Sequence, residues 1–179
     1  MRLAPLLLLL VLAGCASSAR QTPAEVFLLR LSTLCGQSFQ GRLVSMDAAD
    51  ADMRGKPLTM TVQGCGPNGV RIPFAVGEDV SRTWVVTRQG EGLRLKHEHR
   101  HADGSEDARS QYGGDAVSPT DADRIEFPAD EFSKTLFRAQ GIPQSAENVW
   151  AMELQPGRLF AYELRRTGRH FRVEFDLDE

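Results

Sequence analysis

The sequence predicts a mainly β protein in which antiparallel strands form the body and two helices are accessory elements. From Phe39 to Leu177, apolar and polar residues alternate in successive short runs, which is typical of strands with one buried and one solvated face. Residues that favour turns, chiefly Gly, Pro, Asn and Asp, separate these runs. The chain has 179 residues, enough for one domain with a substantial core. We therefore expect a single β-rich domain over 22–179 that begins with a helix.

The first fifteen residues have the pattern of a secretory leader. Arg2 precedes a leucine-rich run that is too short to span a membrane, and small residues then lead to a cysteine. The segment Leu12-Ala13-Gly14-Cys15 resembles the bacterial lipobox. This resemblance implies a signal peptide over 1–14 and acylation of Cys15, for example with palmitate. The alternative is an ordinary signal peptide with an incidental cysteine.

The same resemblance carries an expectation about location. Ala16 follows the acylated cysteine where an aspartate would be typical of inner-membrane retention, so the pattern is similar to that of outer-membrane lipoproteins. Two or more acyl chains give stable membrane anchoring. We therefore expect a lipid-anchored protein on the periplasmic side of the bacterial outer membrane. Residues 15–21 would then form a short lipidated tether.

Charge and cysteine usage agree with an envelope location. The formal net charge is -3, and loss of the leader with Arg2 makes it one unit more negative. A weakly acidic chain without a basic stripe argues against nucleic-acid binding. Apart from Cys15, the chain contains Cys35 and Cys65. In an oxidising compartment they predict a disulfide that closes a loop of about 30 residues and contributes roughly 3 kcal/mol, with a free reactive pair as the weaker alternative.

The N-terminal helix is predicted from its capping residues. Thr22 can act as the N-cap, Pro23 suits the first helical position, and Glu25 can complete a capping box. Gly36 is placed as the C-cap, with Cys35 in the last turn. A disulfide from Cys35 would therefore fix this helix to the segment around Cys65.

Strands and one further helix account for the remainder of the chain. Alternation predicts strands at 39–46, 58–62, 70–76, 82–88 and 93–101, with 107–112 as an antiparallel return strand. Asp130 can cap a second helix in which Phe132, Leu136 and Phe137 share one face. Three strands at 150–154, 160–164 and 171–177 then form a meander. The basic cluster Arg165, Arg166 and Arg169 near the last turn is typical of a solvated surface, with contact to anionic lipid headgroups as the alternative.

Two architectures fit this order of elements, a closed up-and-down barrel and a two-sheet β-sandwich. A leading helix, many hairpins and a late helix before the final strands resemble a calycin-like barrel, the shape of lipocalins. The resemblance covers the pattern from Phe39 to Leu177, but the lipocalin Gly-x-Trp motif near the first strand is missing. A lipocalin ligand therefore cannot be carried over.

Three histidines stand at alternate positions of one predicted strand. His97, His99 and His101 share the parity of two leucines, whereas charged residues occupy the other parity, so the imidazoles are expected to face inward. Such imidazoles can bind zinc, but the outer two would be about 13 Å apart, so another ligand is needed. Nearby candidates are Asp103, Glu106, Asp107 and Asp115. The alternative is that His97 and His99 are core or cavity histidines, hydrogen-bonded to Tyr, Asp or backbone, with His101 beginning the turn.

A barrel would give these histidines another role, as polar anchors in an otherwise apolar cavity. Trp84, Trp150 and Tyr162 are the predicted ligand-lining residues. The alternative is a small barrel filled by its own side chains. No Gly-x-Ser-x-Gly or His-Glu-x-x-His motif is present, so a non-catalytic function is expected.

Three classes of function follow. The first is an envelope module that binds a small apolar ligand. The second is a periplasmic protein that binds zinc or another metal through the histidine strand. The third is an assembly protein that binds a partner through a sheet edge.

Overall fold

The computed structural model describes residues 20–117, 119 and 121–178. The predicted signal peptide, the lipidation site at Cys15 and residues 16–19 of the predicted tether lie outside this part of the chain. Two α-helices cover Pro23–Ser32 (α1) and Glu131–Ala139 (α2), and short 3-10 helices cover Ala48–Met53 and Pro143–Glu147. None of the helices within the described residues is long and apolar enough to cross a membrane.

Eleven strands form the body of the protein. In chain order they are β1 (Ser38–Leu43), β2 (Leu58–Thr61), β3 (Gln63–Gly66), β4 (Gly69–Val76), β5 (Asp79–Gln89), β6 (Gly92–His99), β7 (Tyr112–Asp115), β8 (Arg124–Pro128), β9 (Val149–Gln155), β10 (Leu159–Arg166) and β11 (Arg169–Asp176). All pairs are antiparallel and follow the order β7-β6-β5-β4-β2-β1-β11-β10-β9-β8, while β3 pairs with β4. The predicted mainly β class and the antiparallel barrel are confirmed, because this single sheet is nearly closed.

The barrel nearly closes where β7 meets β8, and Gly114 permits the close approach. The N–H of Asp130 donates to the carbonyl of Gly113, and the N–H of Val117 donates to the carbonyl of Glu126. A Cβ atom on Gly114 would collide with the backbone of Pro128, and one on Gly113 would collide with the backbone of β6. A side chain at Gly114 would therefore force β7 away from β8, and one at Gly113 would disturb the pairing of β7 with β6.

The structure differs from the predictions for the return strand and for the apolar face of α2. The return strand predicted at 107–112 lies further along, at Tyr112–Asp115, because its glycines are needed at the seam and residues 107–111 make an irregular loop. The predicted apolar face of α2 is also only partly buried. Phe137 is buried and Leu136 half-buried, but Phe132 is exposed and lies beneath the ammonium of Lys96, 5.2 Å from the ring centroid. This cation–π contact accounts for an exposed aromatic residue.

Helix α1 covers one end of the barrel, which we call the closed end. Its N-cap and capping box form as predicted, with Thr22 and Glu25 bonded to each other's backbone N–H groups. Phe27 and Leu31 are fully buried, and α1 contacts β4, β6, β8 and β9. The predicted Cys35–Cys65 disulfide is present. The helix ends earlier than predicted, at Ser32 with Thr33 rather than Gly36 as its C-cap, so Cys35 lies in the turn that follows. The disulfide ties this turn to β3.

Candidate functional site

The opposite end of the barrel contains an open cavity of about 670 Å³, and we call this the open end. Strands β6 and β10 terminate here, and β5, β7, β9 and β11 begin here. The segment from α2 to the second 3-10 helix borders one side of the opening, and the first 3-10 helix borders another. The main lining residues are Asp50, Met53, Phe74, Arg82, Trp84, His97, His99, Asp107, Arg109, Tyr112, Phe137, Gln140, Ile142, Ser145, Asn148, Trp150, Tyr162, Leu164, Arg166, Arg169 and Phe171.

Aromatic side chains form the inner wall of this cavity. Trp84 is stacked between Phe74 and Tyr162, with ring centroids 4.7 Å and 4.2 Å away. Trp150 contacts the rings of His97 and Phe137. Trp84 and Trp150 are the two tryptophans of the chain, and both line the cavity with little exposed surface. The structure thus places all three predicted lining residues, including Tyr162, in the cavity wall.

His97 is buried and uses both ring nitrogens. Nδ1 is 3.0 Å from the carbonyl oxygen of Tyr112, and Nε2 is 2.7 Å from the hydroxyl of Tyr162. A carbonyl can only accept, so Nδ1 carries the proton, and Nε2 of the neutral ring accepts from Tyr162. Burial lowers the pKa of His97 to about 3, an effect that the bond to Tyr112 only partly offsets. The ring is therefore neutral at physiological pH.

The next histidine makes a similar pair closer to solvent. His99 is half-buried, and its Nε2 lies 3.0 Å from the hydroxyl of Tyr112. Burial lowers the pKa of His99, and the positive charge of Arg82 acts in the same direction. Burial raises the pKa of Tyr112 to about 12 and that of Tyr162 well above its ordinary value. Neutral imidazole and phenol groups therefore supply the polar part of the inner wall.

Arginine side chains surround the outer part of the cavity, and they fall into two kinds. Arg82 pairs with Asp79 at 2.6 Å, and Arg169 forms a two-bond pair with the buried Asp50. Arg109 instead donates from Nε to the amide oxygen of Gln140 at 2.8 Å, and Arg166 donates from Nη1 to the amide oxygen of Asn148 at 2.9 Å. Within the described part of the chain, neither Arg109 nor Arg166 has a carboxylate within 4.0 Å of its nitrogens. Their charges are oriented but not neutralised.

The three histidines of the metal hypothesis do not converge. His97 faces the inner wall, His99 faces Tyr112, and His101 lies past the end of β6 in an exposed turn, with Nε2 3.6 Å from Asp107. Glu106 accepts from Ser110 and Gln111, and Asp103 accepts from Ser105. Asp115 pairs with Arg94. Over 20–117, 119 and 121–178, no group of three or more His, Cys, Asp or Glu residues could hold a metal ion.

Several residues that line the cavity were not predicted from the sequence, among them Arg166, Tyr112 and Arg109. Arg166 was interpreted as part of a solvated cluster, although it continues the inward parity of Phe160, Tyr162 and Leu164 on β10, and that parity was a usable signal. Arg165 takes the outward direction and pairs with Glu126. The prediction was also wrong for Arg169, whose side chain is largely buried and pairs with Asp47 and Asp50. Tyr112 and Arg109 gave no comparable signal, because the chain before β7 is irregular and has no periodicity to interpret.

Comparison with known proteins adds no relative to this description. No protein-family model, no curated protein and no solved structure matches the chain.

Proposed function

We propose that this protein is a non-catalytic binding module for a small molecule with an apolar body, acting as a lipid-anchored lipoprotein of the bacterial envelope. One observation carries the proposal: the open end of the barrel contains a cavity of about 670 Å³ with an aromatic inner wall. Ligand sites are typically clefts of about 300–1,000 Å³, mainly apolar, with a few oriented polar groups. A well-sealed aromatic cluster would stabilise the barrel without leaving such a cavity.

The polar groups of the inner wall favour binding over catalysis. The hydroxyl of Tyr162 donates its hydrogen bond to Nε2 of His97, so the lone pairs of the hydroxyl oxygen are free to accept a hydrogen bond from a ligand. A general base needs a pKa near the working pH, and burial removes His97 from that range. The pair is therefore suited to orienting a ligand hydroxyl or amide rather than to moving protons.

The direction of the cavity agrees with an anchored protein. The described chain begins beside the closed end, where the hydroxyl of Thr22 donates to the carbonyl of Glu91 in the β5–β6 turn. The cavity opens at the other end. If Cys15 is lipidated, the mouth would face away from the anchoring membrane, towards solutes or a partner protein.

The other two classes of function receive less support. The zinc hypothesis on His97, His99 and His101 stays a prediction, and the described residues offer it no cluster of donors. The assembly hypothesis needs a free sheet edge, yet the edge strands β7 and β8 lie against each other. Titration with zinc tests the metal hypothesis, and crosslinking in the cell envelope tests the assembly hypothesis.

Tryptophan fluorescence tests the proposal directly, because both tryptophans line the cavity. A bromine atom quenches tryptophan emission on contact. Binding of ω-bromoundecanol, an alkyl alcohol with a terminal bromine, in the cavity should therefore lower the tryptophan fluorescence. Titration of the purified protein should give saturable quenching that unbrominated undecanol reverses. Quenching that does not saturate, or that undecanol does not reverse, would reject the proposal.

Two matched variants separate the cavity from the protein surface. Leu164→Phe enlarges a half-buried side chain of the cavity wall, whereas Leu29→Phe makes the same change at an exposed position on α1. We expect Leu164→Phe to weaken ω-bromoundecanol binding severalfold and Leu29→Phe to leave it unchanged. Equal effects of the two variants would place the binding elsewhere.

A further inference from the structure

Two cavity arginines, Arg109 and Arg166, are held by neutral amides, and this sets them apart from the arginines beside them. Arg82 and Arg169 each meet a carboxylate, which neutralises them within the protein. Arg109 and Arg166 meet the side chains of Gln140 and Asn148 instead. An amide oxygen orients a guanidinium but does not neutralise its charge.

Each of the two guanidinium groups retains unused donors. Arg166 uses Nη1 with Asn148, so Nε and Nη2 have no partner among the described residues; Arg109 uses Nε with Gln140, so both Nη atoms are similarly unused. An arginine has five N–H donors in a fixed planar arrangement that matches the two oxygens of a carboxylate. Water satisfies such donors in an empty cavity, and an anionic ligand would replace that water with charge-assisted bonds.

The positions of the two arginines are fixed by their surroundings. Asn148 is buried, its N–H donates to the carbonyl of Ser145, and its own carbonyl accepts from Ala129. Gln140 also donates from Nε2 to the carbonyl of Ala108 at 2.9 Å, next to Arg109. Both amide partners thus belong to the segment between β8 and β9, and they hold the two guanidinium groups at the cavity wall. Donors oriented in advance lose less entropy when a ligand binds.

The charge balance favours a ligand with a single negative charge. Asp107 also lines the cavity and accepts from the backbone N–H of Arg109, while its other oxygen is 3.6 Å from His101. Arg109, Arg166 and this carboxylate together carry one positive charge. Arg82 is paired with Asp79, and Arg169 with both Asp47 and Asp50, so neither adds a positive charge. A carboxylate supplies one negative charge, whereas a phosphate monoester carries nearly two.

We infer that Arg109 and Arg166 bind the carboxylate of an amphipathic ligand whose alkyl or aryl body occupies the aromatic part of the cavity. This inference rests on the proposed binding function and names its ligand class, an apolar monocarboxylate. The head group would lie between β10 and the loop before β7, and the body would extend towards Trp84, Trp150 and Tyr162.

The test compares two probes of matched length, ω-bromoundecanoate and ω-bromoundecanol, by quenching of tryptophan fluorescence. We expect the carboxylate to bind about tenfold or more tightly than the alcohol, the effect of one charge-assisted hydrogen bond. Arg166→Gln and Arg109→Gln should each remove most of that difference and leave the affinity for the alcohol unchanged. Arg109 is exposed in a loop, so its replacement tests the inference even if Arg166→Gln destabilises the fold.

Arg158→Gln is the matched control, because it removes the same charge from an exposed turn at the closed end. It should leave the preference for the carboxylate intact. Equal affinity for the two probes, or a preference that only Arg158→Gln reduces, would overturn the inference while the binding function stands. Absence of saturable quenching by both probes would overturn the proposed function and the inference together.

Discussion

At the closed end of the barrel, Phe27 and Leu31 of α1 are fully buried between the strand ends, and a disulfide holds the turn that follows the helix. At the open end, the strands are bordered instead by α2, two short 3-10 helices and an irregular loop, with Arg109 and Arg166 beside the opening. The same sheet supplies both ends. The difference lies in what covers it.

This contrast separates the parts that stabilise the fold from the parts available for binding. Apolar side chains at the closed end leave water completely, so their burial contributes to the free energy of unfolding. At the open end, imidazole, phenol and guanidinium groups are directed into a cavity, where they contribute little to packing. We therefore expect substitutions at the closed end to affect stability most and ligand affinity little, and substitutions at the open end to affect ligand affinity.

The largest effect on stability is expected from Phe27→Ala. Phe27 is fully buried in α1, so its truncation removes apolar contacts and leaves a cavity that costs about 3–5 kcal/mol in the free energy of unfolding. Urea denaturation measures the change. Phe132→Ala is the control, because that phenylalanine is mostly exposed and its truncation should cost less than about 1 kcal/mol. Similar losses of stability for both variants would contradict the conclusion that α1 packs into the closed end of the barrel.

Removal of the disulfide should have the next largest effect. The double variant Cys35→Ala, Cys65→Ala opens a loop with a sequence separation of 30 residues. The expected loss is about 3 kcal/mol in the free energy of unfolding. Affinity for ω-bromoundecanol should be retained in the folded variant, since the bridge lies at the other end. If the variant lost affinity for ω-bromoundecanol but kept its free energy of unfolding, the closed end would contribute to binding rather than to stability, contrary to our assignment.

Acid should destabilise the protein through His97. Its pKa is lowered from 6.5 to about 3 in the folded state, so between these values the unfolded chain binds the proton more readily. Stability is therefore complete above pH 6.5 and falls as the pH decreases, by about 2 to 3 kcal/mol at pH 4.5. Urea denaturation at several pH values, compared with His97→Gln, isolates this contribution from that of the carboxylates. If the free energy of unfolding depended on pH in the same way for both proteins, the pKa of His97 would not be lowered in the folded state, contrary to this prediction.

The smallest of these effects is expected from single hydroxyl groups. Tyr162→Phe leaves Nε2 of the buried His97 without its donor, which should cost about 1–3 kcal/mol. Tyr112→Phe removes the partner of His99, which is only half-buried and can bond to water, so the cost should be smaller. Thermal or urea unfolding ranks the two variants. A larger loss for Tyr112→Phe than for Tyr162→Phe would indicate that His99, and not His97, is the more deeply buried histidine.

The sequence allowed much of the fold to be predicted, because period-two alternation depends on local burial. The meander of β9, β10 and β11, the capping box at Thr22 and Glu25, and the disulfide were all predicted from such patterns or from residue type. The position of β7 was not, since its two glycines allow close contacts with the backbones of β6 and of Pro128 in β8, which local alternation does not encode.

The candidate site was only partly predictable for the same reason. Trp84, Trp150 and Tyr162 follow the inward parity of their strands, so their place in the cavity wall could be expected. The partners of His97 could not be identified, because Tyr162 lies on a strand distant in the sheet order and the irregular loop before Tyr112 hides the register of β7. The neutral partner of Arg109 depends on how the segment after α2 packs, which no local pattern encodes.

The most direct test of the central claim is to crystallise the protein with ω-bromoundecanoate and locate the bromine by its anomalous scattering. We predict one bromine peak in the cavity, beside the rings of Trp84 and Trp150, with the carboxylate at Arg109 and Arg166. A bromine peak beside α1 at the closed end, or none within the barrel of a crystal grown at saturating probe, would contradict the assignment of the open end as the ligand site.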